Sequence, residues 1–582
     1  MEYKSENKTC QNCKKEFEID SEDFNFYEKI KVPPPTFCPE CRFQRKIAWR
    51  NERSLYKRKC DAENHEEILI TMYPKEFKTP VYDQKYWHGD GWDPIGIVPE
   101  YNFSENFFKQ WYQLLLLAPT PSLVNIQDVN SDYCNFTYQS KNCYLNFASD
   151  KNEDSAYLYF SLENRNCFNM LGSRKNEKCS ELVDSERCYE SSFLTLSENC
   201  INCRYCYDCR NCQDCVGCFG LRNKSYCIFN EQFSKEEYQE KIKNLKLGNK
   251  KEADTFSKKF AKILQKHPRK FSNSRHIVKS TGDYLNHIKN CTECFNVEGP
   301  AEDLRFVFYG IVNMKNVHDG YAIGMNIENS YDVFDAGDNM SDVAFCGNIW
   351  NSFFCRYSYF LRNCSNCFGC VGLRNKNYCI LNKQYTKEQY EELVPKIIKH
   401  MNDMPYIDNK GRIYKYGEFF PSELSPFCYN ETIAQEYFPL TKEEALKQGY
   451  KWKDKEERNY QIDIKNEEIP DDIKDIDEEI IGKVIECEHY AKNEHPASCG
   501  ASCTEAFKII EPEYQFYKRM NLPIPHLCPN CRHYNRLKQR NPLKLWHRKC
   551  MKEGCNNEFE TSYAPDRPEI VYCESCYNRE VY

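Results

Sequence analysis

The stretch Cys38-Pro-Glu-Cys41-Arg-Phe-Gln-Arg-Lys-Ile-Ala-Trp-Arg-Asn-Glu-Arg-Ser-Leu-Tyr-Lys-Arg-Lys-Cys60 returns near the other end of the chain as Cys528-Pro-Asn-Cys531, closing on Arg548-Lys-Cys550. A shift of 490 maps Cys13, Cys38, Cys41 and Cys60 onto Cys503, Cys528, Cys531 and Cys550 without a gap. It also carries Phe17 to Phe507, Ile19 to Ile509, Phe26-Tyr27 to Phe516-Tyr517, Pro33 and Pro35 to Pro523 and Pro525, and Arg50-Asn51 to Arg540-Asn541. Matches at so many positions under one shift mark duplication of a single domain. Only the first cysteine slips, with Cys10-x2-Cys13 set against Cys499-x3-Cys503.

Each copy holds two tight Cys pairs. A tetrahedral zinc site needs four soft ligands delivered by two such turns, and the Pro after Cys38 and after Cys528 fixes one turn torsion. The expected ligands are Cys10, Cys13, Cys38 and Cys41 in the first copy, and Cys499, Cys503, Cys528 and Cys531 in the second. A further set, Cys550, Cys555, Cys573 and Cys576, predicts a third zinc, so about three Zn2+ per chain. Its N-terminal equivalents are Cys60, His65, Asp83 and Tyr86, a poorer set. With His88 nearby as a substitute, Cys60, His65, Asp83 and His88 form a weak candidate site.

The pattern Cys10-Gln-Asn-Cys13, Phe17, Phe26-Tyr27, Cys38-Pro-Glu-Cys41-Arg42 resembles the zinc-ribbon, treble-clef-like domains of bacteria, over about 40 residues in each copy. The whole chain resembles uncharacterised large Cys-rich zinc-binding proteins of candidate-phylum bacteria. The segments that carry this likeness are Tyr416-Gly-Glu-Phe-Phe-Pro421, Ser425-Pro-Phe-Cys-Tyr-Asn-Glu-Thr432, Tyr437-Phe-Pro-Leu-Thr-Lys-Glu-Glu-Ala445 and Asn541-Pro-Leu-Lys-Leu-Trp-His-Arg-Lys-Cys550. The resemblance implies a second Cys pair at positions 83 and 86, where this chain departs with Asp83 and Tyr86. It implies no established activity.

The chain has 582 residues, 36 of them Cys, with 41% hydrophobic and 15% aromatic content, enough for several domains with real cores. A mean hydropathy of -0.79 and the lack of any 18-residue apolar run argue against a membrane protein. Met1-Glu-Tyr-Lys-Ser offers no apolar signal region, so the expected location is cytoplasmic. There, dense Cys favours metal sites and buried thiols over disulfides. The net charge of -7 is spread unevenly, and Glu456 to Glu488, with 13 acidic and 4 basic residues, reads as a solvated linker.

The centre repeats as well. A shift of 152 maps Cys212, Cys215, Cys218, Leu221-Arg-Asn223, Cys227 and Asn230 onto Cys364, Cys367, Cys370, Leu373-Arg-Asn375, Cys379 and Asn382. Capping boxes at Ser234/Glu237 and Thr386/Gln389 then predict helices. Small Asn/Cys/aromatic clusters recur at Cys143, Cys167, Cys188 and Cys209, in steps of 24, 21 and 21; Cys291, Leu304, Val317, Ser330 and Val343 follow at steps of 13. Recurrence of this kind suggests two parallel β-helix-like (solenoid) units. Cys200, Cys203, Cys206, Cys209, Cys212, Cys215 and Cys218 fall on every third residue. Packed thiols, bound metal and disulfides are all open readings; the ferredoxin spacing is missing and small buried Cys suits a stacked interior.

The expected fold is multidomain and mainly β with helices. Residues 1-100 and 486-582 form the zinc domains, and 129-231 and 281-382 the two β-helix-like units. Helices follow each unit (232-280 and 383-402), an amphipathic helix occupies 101-128, and a linker runs over 403-485. Phe103, Phe107, Trp111 and Leu115 give that amphipathic helix its apolar stripe, and Thr441/Glu444 opens another helix that Gly449 closes.

Three functions remain open. The first is a zinc-binding, non-catalytic scaffold with a protein partner. The second is RNA or DNA binding through the basic segments after the zinc knuckles: Arg42, Arg45, Lys46, Arg50 and Arg53, with Arg532, Arg536, Lys538 and Arg540, interleaved with Trp49, Tyr56, Tyr534 and Trp546. The third is a β-helix carbohydrate-active enzyme with Asp303, Asp319, Asp332, Asp335 and Asp342 along one face. No Ser-His-Asp order, phosphate loop or dinucleotide fingerprint appears, so an enzyme is the least expected.

Overall fold

A computed structural model describes residues 4–454, 460–493 and 502–581. It is mixed β with helices, and its centre is built from two stacks of short parallel strands. In the first stack the strands Ala156–Tyr159, Phe168–Leu171, Ser180–Val183, Ser192–Thr195, Arg204–Tyr207, Gln213–Val216 and Ser225–Ile228 pair in chain order. The register is 12: Phe168 lies opposite Ser180, Ser180 opposite Ser192, and Ser192 opposite Arg204. Bridges with the same spacing extend to Lys141–Glu153–Arg165–Glu177–Tyr189–Ile201–Gln213 and to Leu162–Arg174–Glu186–Glu198–Arg210–Arg222. Pairing therefore recurs every third residue along the chain and every twelfth across it.

This period of three explains the sequence. One residue in each triplet points inward and one takes positive φ. The inward positions include Ser149, Asn152, Ser155, Leu158, Ser161, Asn164, Cys167, Met170 and Ser173, all buried. The positive-φ positions include Asn142, Asp154, Asn166, Asn199, Asn202 and Asn211, the residue types that tolerate this region best, but also Tyr157, Phe160, Phe193 and Leu196. The 24-residue step from Cys143 to Cys167 is two rungs of 12. The 21-residue step from Cys167 to Cys188 is seven triplets, which moves to another column. The steps of 24 and 21 are thus replaced by a repeat of 12. The step of 13 in the second unit is a true register: Met314 pairs with Ile327, and Val317 with Ser330. The extra residue sits where two consecutive residues take positive φ, at Val312-Asn313, Met325-Asn326 and Asp338-Asn339.

Polar inward residues are satisfied between rungs. Asn164 Nδ2 donates to Asn152 Oδ1 and Asn176 Nδ2 to Asn164 Oδ1, both at 3.0 Å. The seven cysteines from Cys200 to Cys218 occupy the same inward positions and are at most 1% exposed. Their thiols donate to carbonyls two residues back, and most also to carbonyls nine residues on, as Cys203 does to Ile201 and Cys212 at 3.3 and 3.6 Å. They behave as buried hydrophobes with a weak donor.

The capping boxes at Ser234/Glu237, Thr386/Gln389 and Thr441/Glu444 open helices Lys235–Leu245, Lys387–Asp403 and Lys442–Lys447. Phe107, Trp111 and Leu115 are buried on helix Phe107–Leu117, while Phe103 lies before it and stays exposed. The acidic segment is no free linker: Ile469, Ile473, Ile476, Ile480 and Ile485 are buried in one core with Phe507, Tyr514 and Phe516. Its charges face water while isoleucines every three to five residues anchor it. No helix among the described residues is long and apolar enough to cross a membrane.

The terminal copies share their elements. Helices Ser21–Lys29 and Pro39–Ile47 and the hairpin Tyr56–Lys59/Ile68–Thr71 recur as Glu511–Met520, Pro529–Leu537 and Trp546–Lys549/Glu558–Thr561. They dock crosswise. Helix Pro39–Ile47 packs on strands Met314–Gly324 and Ile327–Gly337 of the second stack, and Pro529–Leu537 packs on Phe168–Leu171 of the first.

Candidate metal centres

Cys38 caps helix Pro39–Ile47 with Pro39 in its first turn, so the helix N-terminus, whose free N–H groups favour anions, points at the first Cys cluster. The sulfurs of Cys10, Cys13, Cys38 and Cys41 all lie within 4.8 Å of one another. Cys13 and Cys38 are 3.7 Å apart. That is far beyond the ~2.05 Å of a disulfide, and it matches the edge of about 3.8 Å in a tetrahedron with arms of ~2.3 Å, the Zn–S bond length. The Cys38 amide donates to Cys10 Sγ at 3.3 Å, and Asn12 Nδ2 to Cys41 Sγ at 3.3 Å.

In the second copy the quartet is Cys487, Cys503, Cys528 and Cys531, with Cys487–Cys531 and Cys503–Cys528 at 3.9 Å. Cys487 takes the role expected of Cys499, which lies outside the described residues. The equivalence is structural: Cys528 N donates to Cys487 Sγ at 3.3 Å, as Cys38 N does to Cys10. Strand Ile485–Glu486 pairs with Ala506–Phe507 just as Glu6–Thr9 pairs with Glu16–Ile19. The first two cysteines are further apart in the sequence of this copy, and the constant shift of 490 concealed it.

The third quartet is the expected one: Cys550, Cys555, Cys573 and Cys576. Cys573 N donates to Cys550 Sγ at 3.3 Å, Asn557 Nδ2 to Cys573 Sγ at 3.4 Å, and Cys555 lies 3.9 Å from Cys573. Each quartet has a thiol disposed to ionise. Hydrogen bonds from Cys38 and then Cys41 pull Cys10 far down against its burial, and those from Cys487, Cys503 and Cys531 do the same for Cys528. Burial pushes Cys573 up, but Ser575 and Asn557 outweigh it and bring it to about 6.

The N-terminal counterpart of the third quartet differs from expectation. Cys60, His65 and Glu67 bring their ligand atoms within 4.8 Å of one another. Asp83 and His88 are not part of that group. Asp83 instead caps a short helix by accepting from Tyr86 N at 3.0 Å, and His88 packs edge-on against Trp87. Glu67 was missed because its counterpart, Asn557, is no ligand.

The basic segments are interior. Arg42, Arg45, Lys46 and Arg50 are at most 2% exposed. Arg42 meets Asp319 at 2.9 Å, Arg45 meets Glu418 at 2.9 Å and Asp332 at 3.4 Å, Lys46 meets Asp332 at 2.9 Å, and Arg50 meets Glu52 at 2.5 Å and Asp335 at 3.1 Å. Arg53 reaches Asn530 at 3.0 Å and Glu436 at 3.7 Å. In the second copy Arg532 pairs with Glu513 at 2.8 Å, Arg536 with Glu181 at 3.1 Å, and Arg540 with Asp184 at 2.9 Å. Of the nine, Lys538 alone is exposed. Trp49 is fully buried against Trp111 and Phe420. A phosphate backbone cannot reach the buried cations of this set, so the nucleic-acid expectation keeps only Lys538 as an exposed residue.

Three residues of the acidic row are taken up by the same contacts. Asp319, Asp332 and Asp335 neutralise Arg42, Lys46 and Arg50, while Asp303 accepts from Asn290 Nδ2 at 3.3 Å. All five carboxylates sit at positive-φ positions, where Asp fits the backbone. The second stack thereby presents anions at positive-φ positions, and helix Pro39–Ile47 with the residues just after it supplies the cations.

No family model matches the chain, and no curated protein does. Among solved structures, a chain provisionally described as an acetyltransferase from Desulfovibrio desulfuricans G20 aligns over 46% of this chain and 70% of its own length, at 7% identity and a TM-score of 0.10. A likeness that low carries no argument about fold or activity.

Proposed function

We propose that the protein is a zinc-stapled, non-catalytic scaffold that works by binding a partner. The observation that carries this reading is the trio of closed Cys quartets. Each offers four thiolate ligands at tetrahedral spacing, and a four-ligand site leaves no coordination position for substrate. Thiolates select zinc among the abundant hard and borderline divalent ions. The two quartets at Cys41 and Cys531 each hold the start of a helix whose cations enter the corners of a strand stack, so metal loading and docking are coupled.

The stacks themselves are read as a parallel solenoid with four-cornered rungs. Four pairing columns spaced by three residues, the register of 12 and the recurring positive φ support this. Such a stack presents a long, regular surface for a partner. The described cysteines are unbridged, in keeping with a reducing, cytoplasmic setting.

Metal analysis of the full chain, purified without oxygen, tests the reading. At least three zinc per chain are expected, with loss of protection in helices Pro39–Ile47 and Pro529–Leu537 when a strong chelator is added. Fewer than two zinc, or iron in place of zinc, would overturn it.

A further inference from the structure

The two copies of the terminal domain differ at one chemically telling place. In the C-terminal copy the hairpin Trp546–Lys549/Glu558–Thr561 and the turn at Cys573 surround a Cys quartet. In the N-terminal copy the same hairpin, Tyr56–Lys59/Ile68–Thr71, and the same turn are kept: Asp83 N donates to Cys60 Sγ at 3.3 Å, as Cys573 N does to Cys550. Arg58 donates to the carbonyls of Pro74 and Phe77, as Arg548 does to those of Tyr563 and Ala564. The framework that positions four ligands is therefore intact, but the ligands are not.

Cys60 keeps its place, and His65 stands where Cys555 stands. The two knuckle cysteines are replaced by Asp83, which turns its carboxylate to the helix cap, and by Tyr86, whose ring lies 4.3 Å from that of His65. Glu67 then enters from the hairpin, with its Oε1 2.6 Å from His65 Nδ1. Sulfur, imidazole nitrogen and carboxylate oxygen converge from one buried and two solvent-facing residues: Cys60 is 3% exposed, while the His65 and Glu67 side chains are 26% and 45% exposed.

We infer that Cys60, His65 and Glu67 bind a fourth divalent metal ion of the zinc class, with three protein ligands and a fourth coordination position open to solvent. Mixed S, N and O donors suit zinc or cobalt(II). Arms of ~2.0 Å set nitrogen and oxygen about 3.3 Å apart, so the His65–Glu67 hydrogen bond opens as the ion enters. The open position takes water or an exchangeable small anion, which the closed quartets cannot accept. The inference rests on reading Cys550, Cys555, Cys573 and Cys576 as a metal site.

The test is equilibrium dialysis of the full chain against buffered free zinc, repeated with cobalt(II) and azide. Wild type is expected to hold four equivalents. His65→Ala and Glu67→Gln, both at solvent-facing positions, should each lower the count to three, whereas Cys555→Ala should remove a different equivalent. In the cobalt protein, azide should shift the visible ligand-field bands of wild type and leave those of His65→Ala unmoved. A wild type saturating at three, or a fourth equivalent retained in His65→Ala, overturns the fourth site and leaves the scaffold reading standing. A wild type holding fewer than two overturns both.

Discussion

Removing the Asp332 carboxylate isolates the contribution of the buried charge layer that docks the N-terminal copy. Asp332 is 1% exposed and faces Lys46 at 2.9 Å and Arg45 at 3.4 Å. Asp332→Ala leaves the Lys46 ammonium buried without its ion-pair partner, held by the Asp319 carbonyl and attracted by the Asp319 carboxylate that Arg42 already neutralises, while Arg45 retains Glu418. Breaking a buried pair by deleting one partner costs about 3–5 kcal/mol, because the surviving charge stays desolvated. Deleting both partners is far cheaper, so Asp332→Ala/Lys46→Met should recover most of that loss. A chain of several domains need not unfold in one step, so the readout is amide exchange in helix Pro39–Ile47. At ~1.4 kcal/mol per decade, the single substitution should speed exchange there by roughly two to four powers of ten. Helix Pro529–Leu537 serves as the unchanged internal reference. Acceleration below tenfold, or a double variant exchanging as fast as the single one, would refute the view that this pair holds the interface.

Three further outcomes follow from the same contacts. Asn211 takes positive φ and links the amides of Asn199 and Asn223 at 3.1 Å; Asn211→Val should cost about 1–2 kcal/mol in a denaturant titration, and Asn211→Gly distinctly less. Cys203 fills an inward position where other rungs carry Ser191 or Ser155, so Cys203→Ser should be nearly neutral and Cys203→Leu should cost about 1–3 kcal/mol through overpacking; a native thiol reagent should reach the half-buried Cys428 well before Cys203. Burial, with Arg305 and Arg42 nearby, holds His318 well below its ordinary 6.5, so the folded imidazole stays neutral while the unfolded one protonates, and stability falls as pH drops below 6.5. Burial raises Asp23 to about 6, which acts in the opposite sense between 6 and 3.8. Denaturation midpoints at pH 7.5 and pH 5 should therefore show His318→Gln gaining on wild type at the lower pH.

Much of the site was legible because metal ligation needs particular atoms at close spacing. Cys10, Cys13, Cys38 and Cys41, and equally Cys550, Cys555, Cys573 and Cys576, are brought together as their spacing predicts. Cys487 was not legible, since a ligand 16 residues before Cys503 looks no different from any buried Cys until strand Ile485–Glu486 pairs with Ala506–Phe507. The repeat was half legible. The triplet stands out in Cys200 to Cys218, where one residue type fills every inward position, and is disguised elsewhere because Ser, Asn, Leu, Met and Cys alternate there.

The sequence by itself determined the duplicated domain, two of the three Cys quartets, the helix caps and the every-third-residue run from Cys200 to Cys218, all of which depend on local spacing. Only the tertiary structure decided the fate of the charges. Arg42, Arg45, Lys46 and Arg50 read alike whether they face a phosphate backbone or a row of aspartates, because a cation's partner is chosen by what lies across from it. Here Asp319, Asp332 and Asp335, nearly 300 residues away in the chain, stand opposite them, and mutual neutralisation in a low-dielectric interior makes those basic residues part of the core.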